Sequence, residues 1–136
     1  MRISKTPGVP LEYDEAIIFA DWLRGQQIPF FHCPNEVGGS SQALRVRAIK
    51  MKRMGVSAGV PDLFVFLPVK GVDDKVDCYQ MCVIEMKRIK GSTTSQAQKE
   101  WLKIIEKAGI PCAVCKGAEA AIKFVQQIIK EIEGEE

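Results

Sequence analysis

Between residues 11 and 26 the apolar side chains Leu11, Ile18, Phe19, Trp22 and Leu23 recur at helical spacing, and Gly25 marks the end of the segment. The spacing predicts a first helix. The pattern then changes: "IPFFHC" reads as a short strand and "PNEVGGSS" as a turn-rich loop, after which Ser40 or Ser41 can cap a second helix running to about Met54. Two apolar strands follow, Asp62 to Leu67 and about Tyr79 to Arg88, joined by the polar "KGVDDKVD". "GSTTSQAQKEWLKIIEKAG" predicts a third helix closed by Gly109, and "IPCAVCK" a further strand. From Ala118 onward, apolar residues at 118, 121, 122, 125, 129 and 132 make an amphipathic final helix. The order is α-β-α-β-β-α-β-α, an α/β arrangement. Its late strand, helix, strand crossover implies a parallel pair within a mixed sheet.

Composition narrows the picture little. A chain of 136 residues with 46% hydrophobic content is about one domain long, here taken as residues 1–136 with the acidic "EIEGEE" end, about 133–136, expected to fray. The longest apolar runs fall well short of the roughly 20 residues a bilayer span needs, and the first residues lack the apolar core of a secretory signal. These features predict a cytoplasmic protein with no membrane partner. A net charge of +2 says nothing about partners, but "RVRAIKMKR", Arg45 to Arg53, holds five basic residues and no acidic one.

Five cysteines without an export signal argue for reduced thiols. Zinc is disfavoured by their placement. Cys112 and Cys115 sit three apart on a strand and so point to opposite faces, whereas Cys78 and Cys82 share a face but lie roughly 13 Å apart. Buried structural thiols are the expected reading.

Chemistry concentrates on the two central strands. Alternation puts Glu85 and Lys87 on one face, with Met86 pointing the other way and its carbonyl at the sheet edge or in the ladder. If the strands pair antiparallel, the start of the first lies beside the end of the second, and Asp62 joins Glu85 and Lys87 at one corner. An acid and a lysine two apart on a strand are commonly a solvated surface pair. Here the flanks "VPDLFVF" and "CVIEM" are apolar on both faces, so the charges would be costly to bury without a partner. Two carboxylates forced together repel unless a divalent cation neutralises them, and oxygen ligands suit Mg²⁺ or Mn²⁺.

Other polar residues stand out against apolar arcs. Glu12 and Glu15 both fall on the apolar side of the first helix, where Glu12 can also remain wet in the first turn, favoured by the helix dipole. Gln98 lies among Trp101, Leu102 and Ile105, although "SQAQ" equally fits a capping box that would satisfy it locally. Arg47 falls within an arc of Leu44, Ala48, Met51 and Met54, which predicts that it snorkels or reaches a partner.

In their order and context, "GVPDLFVF", "VIEMKR" and "SQAQKEW" resemble the PD-(D/E)XK nuclease superfamily. With "HCPN" and "GVSAGVPDL" the resemblance is specifically to its virus-type replication-repair nuclease (VRR-NUC) branch. The resemblance covers most of the chain and implies a restriction-endonuclease-like mixed β-sheet flanked by helices. It implies that Asp62 and Glu85 bind the metal with the Met86 carbonyl as a further ligand, that Lys87 acts on the attacking water or the transition state, and that Gln98 supports the site. The family's first-helix glutamate aligns with Glu12, but a glutamine expected four residues later is Ala16 here, so the choice against Glu15 stays open with Glu12 favoured. His32 and Asn35 match a loop beside the site and, with Arg45, Arg47 and Lys50, are expected to contact DNA. The implied activity is Mg²⁺- or Mn²⁺-dependent cleavage of branched DNA by a homodimeric, junction-resolving endonuclease. A non-catalytic nucleic-acid-binding module of the same fold is the alternative.

Overall fold

The computed structural model describes residues 8–34 and 40–134. Its elements are α1 (Glu12–Gly25), β1 (Phe30–His32), α2 (Gln42–Arg53), β2 (Leu63–Lys70), β3 (Val76–Lys87), α3 (Gln96–Lys107), β4 (Cys112–Lys116) and α4 (Ala118–Ile132). This is the order the sequence predicts. The strands form one sheet in the order β1-β2-β3-β4, with β1 and β3 antiparallel to β2 and the expected parallel pair between β3 and β4.

Strand periodicity divides the sheet into two faces. Leu63, Val65 and Leu67 of β2, Cys82, Ile84 and Met86 of β3, and Cys115 of β4 form the core with Phe19 and Leu23 of α1 and Ala121, Val125 and Ile128 of α4. On the opposite face, α3 lies against β4. Among the described residues no helix is long and apolar enough to cross a membrane.

Several boundaries and faces differ from expectation for identifiable reasons. Strand β2 continues through Pro68 because that residue needs no ladder donor. Phe66 N donates to Pro29 O at 2.9 Å, so position 68 faces the same way, beyond the end of β1. The third helix starts only at Gln96, because Ser95 caps it by accepting from Gln98 N at 3.2 Å, which leaves 91–94 outside. In α1 the buried stripe is Glu15, Phe19 and Leu23, four residues apart, whereas Ile18 is exposed.

The largest departure is α2. Ser41 caps it as expected, yet none of its side chains is buried, and Arg47 is exposed like Arg45 and Lys50. Its apolar arc is covered only in part, with Ala48 and Met51 half-buried and no residue of the helix in the core, and Arg47 stands in the open instead of snorkelling.

Candidate active site

The antiparallel register sets Leu63 opposite Ile84, so Asp62 and Glu85 meet at the corner where β2 begins and β3 ends. Asp62 is locked on both sides: Cys33 N donates to its carbonyl at 2.6 Å, and its Oδ1 accepts from Met86 N at 3.2 Å. The side chain thus continues the ladder one step beyond the strand. Asp62, Glu85 and Lys87 are 7%, 2% and 8% exposed, so these charges do not form a solvated surface pair.

Gln98 organises the corner from α3. Its Nε2 donates to Glu85 Oε1 at 2.8 Å, and its Oε1 accepts from Lys87 Nζ at 3.1 Å and from Ser95 N at 2.8 Å. The capping box and the site contact are one arrangement, because the cap fixes the amide that the site uses. Lys87 Nζ also lies 3.6 Å from Glu85 Oε1.

Glu85 Oε2 is buried and no donor reaches it, so only a proton shared with the neighbouring Asp62 carboxylate would give it a hydrogen bond. An orphaned carboxylate oxygen beside a second carboxylate requires a positive species, either a proton or a cation. Burial first, then hydrogen bonding to and repulsion by Asp62, push the Glu85 carboxyl up to about 8, with Lys87 opposing and the Glu12 charge adding to the rise. Glu85 therefore holds its proton more tightly folded than unfolded. Its contribution to stability is fully present below about pH 4.5 and is lost as pH rises through about 8. Tm measured in chelator should fall between about pH 5 and about pH 8, and Glu85→Gln should flatten that slope. An equal slope in the variant would assign it to another group.

A cavity of about 410 Å³ opens onto this corner, lined by Glu12, His32, Pro34, Asp62, Glu85, Lys87 and Gln98. The two first-helix acids separate here. Glu12 reaches the cavity, whereas Glu15 is buried in the core layer, where its Oε2 accepts from Ala118 N at 2.7 Å and caps α4. A helix that begins after Gly117, which has no side chain to cap it, is the sequence signal that a distant acceptor is needed. His32, opposite Leu63 in the register, lines the cavity, and Asn35 lies outside the described residues. Met86 presents its N–H to Asp62 and buries its side chain completely. A second cavity, about 550 Å³, lies at the far end of β2 by Pro68 and Lys70, away from these carboxylates.

Among the described residues no group of three or more His, Cys, Asp or Glu side chains is gathered so as to hold an ion. The two adjacent carboxylates at the corner are Asp62 and Glu85, the latter with a buried oxygen that no donor reaches, and Glu12 lines the same cavity. That donor set fits Mg²⁺ or Mn²⁺, hard ions that keep several waters and take one or two carboxylates plus phosphate oxygens. The thiols do not form an alternative centre. Burial pushes Cys82 up to about 12, with Cys115 adding to it, and Cys115 up to about 11, while Cys112 donates to Leu102 O at 3.4 Å.

The VRR-NUC domain family model matches residues 11–119. A solved structure described as a VRR_NUC domain protein is similar in fold, with a TM-score of 0.67 and 29% sequence identity over 90% of each chain. No curated protein matches in sequence.

Proposed function

Because the chain belongs to the VRR-NUC domain family, and is thereby a member of a nuclease family acting on DNA, we propose that it is a metal-dependent endonuclease that cuts branched DNA. The observation that carries this reading is the buried Glu85 Oε2, reached by no donor and set beside Asp62, in a cavity that also presents Lys87. Asp62 and Glu85 would hold Mg²⁺ or Mn²⁺, with the Met86 carbonyl as a further ligand. A bound ion supplies Lewis acidity toward water and phosphate.

The chain's own residues do the rest. Gln98 occupies Glu85 Oε1 and leaves Oε2 for the cavity, and the same amide holds Lys87 Nζ. Lys87 orients the attacking water or meets charge growing on the phosphoryl oxygens. Glu12 and His32 line the cavity beside the corner, where His32 is suited to a phosphate contact. Arg45, Arg47 and Lys50 project from the exposed α2 and offer phosphate contacts without base readout.

The protein is proposed to act as a homodimer, and the same helix also carries exposed apolar residues. Leu44, Val46, Ile49 and Met54 are all exposed, and a helix of 12 residues with only Ala48 and Met51 half-buried is marginal alone. A second copy related by a two-fold axis would present two related sites, matching the approximate two-fold of a four-way junction.

The test is incubation with Mg²⁺ or Mn²⁺ and equal-length four-way junction, flap, splayed and linear DNAs, with sedimentation of the protein alone. Paired, symmetry-related incisions in the junction by a sedimenting dimer are expected. A monomer that trims linear ends and ignores junctions would refute the branched-DNA reading. Absence of cleavage on every substrate would favour the binding-module alternative.

A further inference from the structure

Arg88 follows Lys87 directly, at the end of β3, and its side chain turns to the segment that leads into α1. Its Nη2 donates to Val9 O at 2.8 Å and its Nε to Pro10 O at 3.1 Å. A planar guanidinium spanning two successive carbonyls is a rigid fork that an ammonium cannot reproduce.

What this fork holds is the entry to the helix carrying Glu12. Pro10 stands two residues before Glu12, with Leu11 extended at φ −69°, ψ 156° between them. Leu11 has no side-chain oxygen with which to cap the helix. Local ties of the first turn include Leu11 N to Asp14 Oδ2 at 3.3 Å and Glu15 N to Leu11 O at 3.2 Å. The firm anchors of α1, Glu15 on Ala118 N and the buried Phe19 and Leu23, all lie further along. Helix ends fray where caps are weak. Arg88 therefore ties the entry to the first turn of α1 to the strand that carries Glu85 and Lys87.

We propose that Arg88 is a positioning residue, which holds Glu12 in the cavity by clamping the Val9 and Pro10 carbonyls to the end of β3. The proposal rests on the nuclease reading for its functional half. A direct phosphate contact by the guanidinium is the competing role, and the two separate experimentally.

The test compares Arg88→Gln, Arg88→Lys, Glu12→Gln and the Arg88→Gln/Glu12→Gln double variant. Amide exchange of Glu15 and Ala16 is read without metal or DNA, with Phe19 and Leu23 amides as the internal reference. Exchange at Glu15 and Ala16 should quicken by roughly tenfold in both Arg88 variants and stay unchanged at the reference amides. In cleavage assays Arg88→Gln should lower kcat by roughly tenfold with KM nearly unchanged, and in the Glu12→Gln background it should cost less than about twofold. Arg88→Lys should behave like Arg88→Gln, because charge without the fork does not restore the clamp. Unchanged exchange at Glu15 and Ala16, or losses that multiply in the double variant, would overturn the proposal. A raised KM rescued by Arg88→Lys would assign Arg88 to phosphate instead. Wild-type protein that cuts no DNA would remove the nuclease reading and the functional role with it, a result distinguishable because the exchange experiment needs neither.

Discussion

Replacing Asp62 by Asn or Glu85 by Gln is expected to lower cleavage by about 10³-fold or more while leaving the fold intact, since each removes one of the two adjacent carboxylate charges available to a divalent ion, an interaction worth several kcal/mol. The two variants should differ in stability. Glu85→Gln relieves a buried carboxyl whose Oε2 no donor reaches, because the amide it introduces can donate toward Asp62. The variant protein should therefore melt at the same temperature as wild type or higher in chelator, with the gain largest above about pH 8, where the wild-type carboxyl is ionised. Asp62→Asn carries no such gain, because Asp62 Oδ1 already accepts from Met86 N. Loss of activity together with unchanged or raised stability separates a functional carboxylate from a structural one. Cleavage near the wild-type rate in either variant would remove these residues from the site.

That corner was legible in the sequence because period-two alternation and antiparallel pairing are both local rules. Asp62 opens one apolar run, Glu85 and Lys87 close the next, and antiparallel pairing across the short polar connection brings those ends together. The capping box at Ser95 was legible for the same reason, since its partners lie three residues apart.

What the sequence left open was decided by long-range contacts. On a helical wheel Glu12 and Glu15 are near equivalents; they separate because the Ala118 N–H, 103 residues from Glu15, needs an acceptor. Arg88 reads only as the last letter of "VIEMKR" until its bonds to Val9 and Pro10, 79 and 78 residues away, are seen. The second helix misled in the other direction. Its apolar spacing is real, but period reports that a face exists and not which surface covers it. The C-terminal helix kept its expected arc at Ala118, Ala121 and Val125 because the sheet and α1 lie directly beneath.

Gly59→Ala is expected to cost at least about 2 kcal/mol and to impair catalysis beyond its effect on folding. Gly59 sits at φ +82°, and a Cβ there would come within 2.6 Å of Ala97 C and 2.7 Å of both Ala97 Cβ and Gln98 N. Those are backbone and first-turn atoms of α3, which cannot rotate away, so relief requires the turn itself to move. The turn carries Gln98, whose amide joins Glu85 Oε1 to Lys87 Nζ. Displacement by even a few tenths of an ångström strains both bonds and releases the lysine from its place in the cavity. Gly109 supplies the control at the other end of the same helix. It has nearly the same backbone, φ +81°, but nothing lies within 4 Å of its built Cβ. Gly109→Ala therefore incurs only the left-handed backbone penalty, about 1 kcal/mol, and should keep wild-type turnover once corrected for folded fraction. Gly59→Ala should melt roughly 5–10 °C below wild type, and its folded fraction should turn over at least about tenfold more slowly. Equal behaviour of the two alanine variants, in Tm and in turnover, would mean that the close approach at Gly59 does not position Gln98.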